Sequence, residues 1–311
     1  QQYTAIVPQA TVQATLSELR QNLEKPFTTM QGKQLGQQVY DWLIRPIERD
    51  LQAESIETLA FVLDGSFRNV PMAALFDGNQ YLIEHYSIAL TPSLQLFKPQ
   101  VLKRDRLQAL AAGLTEERSG FSALVNVGQE LQEIQAKIPS RVLLNETFTS
   151  DALKAQIDRN PTAIVHLATH GQFSSDASQT FILAWDRPIS VQELGALLRS
   201  INEQRTETDV PQSAIELLVL SACETARGDD RAALGIAGVA VQSGARSTLA
   251  SLWSLNDESA AHLISEFYRE LLNPAFSKTE ALRQAQLTLL RDPYYRHPIY
   301  WAPYILLGNW L

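Results

Sequence analysis

The stretch IELLVLSACETARG (residues 215–228) decides how the rest of the chain is organised. It opens with a run of aliphatic residues, which predicts a buried β-strand over 216–223. The end of that strand holds Cys223, the only cysteine in the 311-residue chain. A second apolar run, AIVHLATH (163–170), ends in His170. The two runs therefore predict a thiol and an imidazole at the ends of two buried strands.

Strands and helices alternate on both sides of this stretch. Further strands are predicted over 107–114, 141–144, 246–253 and 303–308. Helices are predicted over 128–138, 150–157, 190–198, 233–244, 257–272 and 278–291, two of them opened by the Ser-x-x-Glu pattern of a capping box. This alternation is typical of an α/β fold, in which helices flank a mostly parallel central sheet. Ligands of such sheets bind at the carboxyl ends of the strands.

The first third of the chain has a different pattern. Apolar residues recur at helical spacing over 12–54, and Pro46 should kink or split that helix. Strands are predicted at 58–65 and 81–90, and the polar joint 98–106 is the best candidate for a boundary. We therefore expect a helical N-terminal extension (1–56), a strand-containing part (57–105) and a main domain (106–311).

Composition narrows the classes of function. The chain is 45% hydrophobic and 19% charged, as expected for a globular protein with a sizeable core. It has no apolar run near the ~20 residues that span a bilayer, so no membrane span is predicted. A net charge of −8 without a long basic run argues against direct nucleic-acid binding. A single cysteine fits a reducing compartment, from which we expect a cytoplasmic location. No phosphate-binding glycine loop is present and no cofactor is expected.

The pairing of Cys223 with His170 fits nucleophilic catalysis. A free thiol has a pKa of ~8.5, so it needs a nearby base to act as a nucleophile at neutral pH. The alternative is that the cysteine is an inert core residue and the histidine is structural. A metal site is not expected, because His166 and His170 lie on a strand, where four residues span ~13 Å.

Four segments resemble a known family. HLATHGQF (166–173), LLVLSACETARG (217–228), GARSTLASLWSLND (244–257) and PIYWAPYILLGNW (298–310) are similar to the CHAT family of bacterial caspase-like cysteine peptidases. That family is distantly related to separase, gingipain and the caspases. The resemblance implies a caspase-like three-layer fold with a catalytic dyad of His170 and Cys223. It also implies an oxyanion hole formed at Gly171 and Cys223.

The resemblance further implies a protein substrate and a regulatory domain or helical-repeat partner. In separase-like relatives an acidic residue near the position of Asp257 serves a pocket for arginine, which suggests cleavage after a basic residue. Glu116 and Glu117, in the loop after the first strand of the main domain, are alternative sources of that charge. Ser221 and Trp253, at strand ends, are further candidates for the specificity pocket. Asp257 or its neighbour Asn256 could instead simply cap a helix.

Two functions follow from these observations. The first is a cysteine endopeptidase that cleaves protein substrates. The second is a regulatory or scaffold module whose peptidase site is latent or idle.

Overall fold

The computed structural model of the chain describes residues 2–91, 100–159, 162–174, 176–203, 215–221, 224–225 and 244–311. In chain order, the helices are α1 Gln9–Leu23, α2 Thr29–Leu43, α3 Glu48–Ala53, α4 Leu82–His85, α5 Val127–Lys137, α6 Ser150–Arg159, α7 Val191–Glu203, α8 Asp257–Leu271, α9 Lys278–Arg291 and α10 Pro298–Trp301. The strands are β1 Thr58–Phe61, β2 Ser87–Leu90, β3 Ala109–Gly113, β4 Ser140–Leu144, β5 Ile164–Ala168, β6 Gly171–Phe173, β7 Phe181–Leu183, β8 Pro188–Ser190, β9 Leu217–Leu220, β10 Glu224–Thr225, β11 Ser247–Ser251 and β12 Tyr304–Gly308. The helix predicted over 233–244 lies, except for its last residue, outside the described residues.

The central sheet has eight strands in the order β1-β2-β12-β11-β9-β5-β3-β4. All neighbours pair in parallel except β11 and β12, which are antiparallel. Five strands therefore run one way and three run the other. Strands β3, β5, β9 and β11 are buried along their whole length, as their aliphatic sequences predict. The mostly parallel sheet expected from the sequence is confirmed.

Helices cover both faces of this sheet. Helix α5 packs on β3, β4 and α8, and α8 packs on α9. Helices α6 and α7 pack on each other, and the crossover β4–α6–β5 brings α6 to the face opposite α5. The result is the predicted three-layer α/β architecture. No helix in the described part of the chain is long and apolar enough to cross a membrane.

The N-terminal segment differs in detail from its prediction. The helical pattern over 12–54 is divided twice, between α1 and α2 and again between α2 and α3. The second division contains Pro46, as expected, and the first contains Pro26, which has the same effect on a helix. Residues 81–90 form α4 followed by β2 rather than one strand. The Glu84 carboxylate accepts a hydrogen bond from the Tyr81 backbone N–H (2.6 Å), which stabilises the first turn of α4.

A second sheet, which the sequence did not predict, lies next to the first. Its order is β10-β6-β7-β8, and each strand has only two or three residues. It begins at Gly171, directly after the end of β5 and His170. This small sheet therefore begins directly beyond the carboxyl end of β5.

A polar cluster crosses the core between the sheet and its helices. His166 on β5 is fully buried, and its Nε2 lies 2.8 Å from Oε1 of Glu130 on α5. Its Nδ1 lies 3.2 Å from the hydroxyl of Tyr268 on α8. Burial raises the pKa of Tyr268, so the phenol stays protonated and can donate to Nδ1. The cluster thus fixes β5, α5 and α8 relative to one another, directly below the candidate site.

Candidate active site

The candidate residues gather at one edge of the central sheet. Strands β11, β9, β5 and β3 are consecutive and parallel, so their carboxyl ends open on the same side. Beyond these four ends come, respectively, Trp253, Ser221, His170 and the pair Glu116–Glu117. This is the edge at which α/β sheets bind ligands.

His170 is held between the central sheet and the small sheet. The residue before it, Thr169, is buried and donates its hydroxyl to the Leu183 carbonyl (2.7 Å). The carbonyl of His170 itself accepts a hydrogen bond from the Leu183 N–H (2.8 Å). The imidazole remains partly exposed. Both bonds go to Leu183 on β7, so the backbone is fixed while the ring stays accessible.

The backbone carbonyl of Ser122 determines the tautomer of His170. This oxygen lies 2.7 Å from Nε2 of the imidazole. A carbonyl oxygen can only accept, so Nε2 carries a proton and donates it. In the neutral ring Nδ1 is then the unprotonated nitrogen. The atom available for taking up a proton is therefore Nδ1.

Backbone hydrogen bonds hold the loop that supplies Ser122 in position. Arg118 and Phe121 bond to each other through both backbone amides (3.1 and 2.9 Å), with Ser119 and Gly120 at positive φ between them. Positive φ at both central residues defines a tight type I′ turn. The Phe121 ring stacks on the imidazole of His170, with 4.9 Å between centroids and 26° between planes. Sequence reasoning missed Phe121 and Ser122, although the Ser-Gly pair was a turn signal.

Arg118 anchors the other side of this loop. Its guanidinium lies over the Trp185 ring, 3.6 Å from the centroid, and its Nε donates to the Trp185 carbonyl. Stacking of this kind orients both groups. The loop therefore contacts Trp185, between β7 and β8, through Arg118, and it contacts the imidazole through Phe121 and Ser122.

Gly171 follows the histidine and opens β6. A side-chain Cβ at this position would lie 3.1 Å from the Phe181 carbonyl oxygen and 3.1 Å from Cε2 of Phe173. With a larger residue here, β7 or the Phe173 ring would have to shift by a few tenths of an ångström. Packing therefore favours glycine at this position.

Cys223 lies outside the described residues, but residues on either side of it are described. Before it, the Ser221 N–H donates to the Leu167 carbonyl (3.0 Å), extending the pairing of β9 with β5. After it, Glu224 pairs in parallel with Gln172 of β6. Both flanks of the cysteine therefore pair with the segment 167–172, which contains His170.

A family model for the CHAT domain matches residues 33–309 of the sequence. The chain belongs to the CHAT domain family. The expectation from the sequence motifs is confirmed. A comparison with curated proteins finds no match.

Solved structures with the same fold include two peptidases. One is separase of Saccharomyces cerevisiae in the separase–securin complex, with 15% identity and a TM-score of 0.51. The match covers 86% of the CHAT chain but only 18% of the separase chain. The other is the Arg-specific cysteine proteinase gingipain R, with 9% identity, a TM-score of 0.53, and coverage of 96% and 74% of the two chains. At these identities the likeness shows the caspase-like fold alone.

Asp257 of the CHAT domain has a structural partner. Its Oδ2 accepts hydrogen bonds from the backbone N–H (2.9 Å) and the side-chain amide (2.8 Å) of Asn126. The cap of α8 is provided instead by Asn256, whose side chain accepts from the Ser259 N–H (3.0 Å). Asp257 therefore links the start of α8 to the end of the loop that carries Phe121 and Ser122.

The other specificity candidates differ in exposure. Glu116 and Glu117 are exposed, and Glu116 accepts a bond from the Asn145 amide (3.2 Å). Ser221 is buried, and its hydroxyl has no hydrogen-bond partner among the described residues. Trp253 is buried and donates its indole N–H to the Ile299 carbonyl (3.2 Å). Only the two glutamates present their charge directly to solvent.

A metal centre is not formed by the described part of the CHAT domain. Within those residues, no group of three or more His, Cys, Asp or Glu side chains could hold an ion. The pair of Glu130 and His166 is buried in the core, where the Tyr268 hydroxyl contacts the histidine.

Proposed function

We propose that this chain is a cysteine endopeptidase in which Cys223 is the nucleophile and His170 is the general base. The observation that carries the proposal is the contact between Nε2 of His170 and the Ser122 carbonyl, which leaves Nδ1 as the base. A base must lie within hydrogen-bond reach of the proton that it removes.

The pairing of the residues around Cys223 supports that proximity. Cys223 directly precedes Glu224 in the sequence, and consecutive Cα atoms are about 3.8 Å apart. Neighbouring strands lie ~4.8 Å apart, and Glu224 pairs with Gln172, two residues after His170. This pairing, together with the Ser221–Leu167 bond, supports the proposal that Cys223 and His170 act on the same substrate.

The reaction then proceeds in two halves. Nδ1 takes the thiol proton, and the thiolate adds to the carbonyl carbon of the scissile peptide bond. The imidazolium gives this proton to the leaving amine, and an acyl-enzyme thioester remains. In the second half, His170 takes a proton from water, the hydroxide adds to the thioester, and the thiolate leaves and takes the proton back from the imidazolium. The Ser122 carbonyl stabilises the imidazolium through a charge-assisted hydrogen bond.

The oxyanion formed in each half requires nearby donors. The backbone N–H groups of Gly171 and Cys223 are the proposed pair. The absence of a side chain at Gly171 allows a substrate carbonyl to approach its N–H.

Variants of the dyad test this function. In a fluorogenic peptide assay, Cys223→Ala should abolish turnover, and His170→Ala should lower kcat by about 100-fold or more. His85→Ala is the matched control, because His85 is also solvent-accessible but lies in the N-terminal third of the sequence. Its Nε2 lies 3.1 Å from Oδ2 of Asp77. A thiol-directed peptide electrophile should label Cys223 in the wild type and far more slowly in His170→Ala. Wild-type turnover by a folded Cys223→Ala variant would refute the assignment.

Cleavage after a basic residue is the proposed specificity. Glu116, Glu117 and Asp257 all follow strands that end at the same sheet edge as His170, and a carboxylate favours Lys or Arg in the substrate. The two glutamates are more exposed than Asp257, which already binds Asn126. Ser221 and Trp253 are proposed to shape the wall of the same pocket.

Peptides that differ only in the residue before the scissile bond test the specificity. Arg should be preferred over Leu and Asp. Glu116→Gln, Glu117→Gln and Asp257→Asn identify the source of the charge, because only the responsible variant should lose the Arg preference. A wild-type preference for Leu or Asp would contradict the proposal.

A latent regulatory module is the second candidate function. It is favoured by the separase neighbour, which was solved bound to the protein securin. Under this alternative, the chain binds a protein partner and the electrophile labels Cys223 only when a regulatory domain or partner is added. Labelling of the isolated chain would exclude it.

A further inference from the structure

The outer edge of the central sheet is open at β1. In the ladder between β1 and β2, the carbonyls of Glu57 and Phe61 accept from Ser87 and Thr91 (2.8 and 2.9 Å). Residues of a parallel strand alternate in the direction of their backbone groups. The N–H and C=O groups of Thr58, Ala60 and Val62 therefore point away from β2. They have no hydrogen-bond partner among the described residues.

An apolar groove runs along this edge. It has a volume of about 550 Å³ and lies between β1 with its following turn and the helices α2 and α3. Its lining includes the partly buried side chains of Leu43, Ile47, Leu51, Phe61, Leu63 and Phe67. Val62 at its mouth is 51% exposed. A segment that paired with β1 would cover these side chains at the same time.

This edge strand is short, with four residues, but it lacks the other usual protections against strand pairing. Natural edge strands carry lysine, proline or a bulge, which prevent a further strand from adding. The segment TLAFVL (58–63) has no charged residue and no proline, and β1 pairs with β2 in unbroken register. An open edge beside an apolar groove is the geometry that binds an extended peptide by strand addition.

The charges around the groove select the occupant. Asp64 lines the groove and is exposed, and Arg68 offsets it in part (3.3 Å). The segment 45–68, which supplies most of the groove, carries five carboxylates, including the exposed Glu54 and Glu57, against three arginines. A second copy of this chain would bring Glu57 opposite Glu57 or Asp64, depending on strand direction, and like charges would repel. We propose that the β1 edge binds an extended segment of a partner protein, with alternating apolar residues and flanking lysine or arginine. This site is independent of the proposed peptidase function.

A labelled peptide tests the proposal. The probe is Lys-Lys-Val-Thr-Ile-Thr-Val-Lys-Lys carrying fluorescein, titrated by fluorescence anisotropy against the Cys223→Ala chain so that no cleavage occurs. Val62→Pro removes one outward N–H without touching the ladder to β2, and it should weaken binding about tenfold or more. Val101→Pro is the matched control, because Val101 is also exposed and lies outside any strand. Replacing the lysines of the probe by glutamate should weaken binding to a similar extent.

Comparing peptide binding by the wild type and by Val62→Pro distinguishes the β1 edge from the other candidate sites. The lysines of the probe could also reach the proposed specificity pocket, but binding there would be unaffected by Val62→Pro. Equal binding by a folded Val62→Pro variant, or no wild-type binding at 1 mM peptide, would overturn the proposal. A dimer in sedimentation analysis that Val62→Pro dissociates would also overturn it, in favour of a second copy. If Val62→Pro does not fold, Ala60→Lys places a charge on the same edge and should give the same loss.

Discussion

Replacing Gly308 by alanine tests how tightly the middle of the central sheet is packed. Gly308 is the last residue of β12 and has φ +99°. A Cβ at this position would lie 2.3 Å from the carbonyl oxygen of Arg246 and 3.3 Å from its carbonyl carbon. Real Cβ atoms do not approach an oxygen this closely, so the backbone would have to move.

The Arg246 backbone is poorly able to move. Its carbonyl accepts from the Asn309 N–H (2.8 Å), and its N–H donates to the Ile215 carbonyl (2.8 Å). A shift would therefore disturb the starts of both β9 and β11. A left-handed backbone costs a non-glycine residue about 1–2 kcal/mol, and overpacking adds about 1–3 kcal/mol. We expect Gly308→Ala to lower the free energy of unfolding by roughly 2–5 kcal/mol.

Gly65→Ala is the matched control. Gly65 also has positive φ (+54°), but no atom lies within 4 Å of its hypothetical Cβ. This variant should lose only the backbone contribution of about 1–2 kcal/mol. Because 1 kcal/mol shifts Tm by about 2–4 °C in a domain of this size class, calorimetry separates the two variants. Equal losses of Tm would show that the backbone conformation alone matters and would refute the packing argument.

Two further predictions concern buried polar groups. Glu130→Ala removes the carboxylate that lies 2.8 Å from Nε2 of the buried His166 and should cost about 3 kcal/mol of stability in urea unfolding. Glu130→Gln keeps an oxygen at that position and should cost much less; equal losses would show that the contact with His166 does not contribute to stability. Burial lowers the pKa of His297, so the unfolded chain binds a proton more readily than the folded chain does. The Nδ1 atom of His297 also caps α10 by accepting a hydrogen bond from the Ile299 N–H (3.1 Å). Stability should therefore fall as the pH drops below about 6.5, and His297→Asn, which keeps a cap acceptor, should remove that part of the pH dependence; urea midpoints that change equally with pH in both proteins would contradict this assignment.

The central strands were predictable because each is a short apolar run that the fold buries on both faces. The runs 107–114, 163–170 and 246–253 contain β3, β5 and β11, with boundaries a few residues too wide. The small sheet was missed because strands of two or three residues have no periodicity, and tertiary context alone makes them pair. The division of 81–90 into α4 and β2 depends on the side chain of Glu84, a local contact that hydrophobic patterning does not detect.

The candidate site was predictable only for residues with distinctive chemistry. His170 stood out as an imidazole at the end of an apolar run. The Ser122 group that orients it is a backbone carbonyl, which every residue possesses, so its position depends on the loop geometry and not on the side chain. Asp257 was singled out for its charge, but its hydrogen bonds to Asn126 join segments 131 positions apart, which no local pattern indicates.

The order of strands in the central sheet has a consequence for synthesis on the ribosome. Strand β2 meets the rest of the sheet through β12, where Leu90 pairs with Leu307. Roughly 200 residues must therefore be translated after β2 before its neighbour exists, which takes on the order of 10–40 s at ~5–20 residues per second. During that interval β1 and β2 have apolar faces and no sheet to join. The chain has to keep its first strands from aggregating until its last strand emerges, and a nascent-chain chaperone is expected to act most strongly in that window.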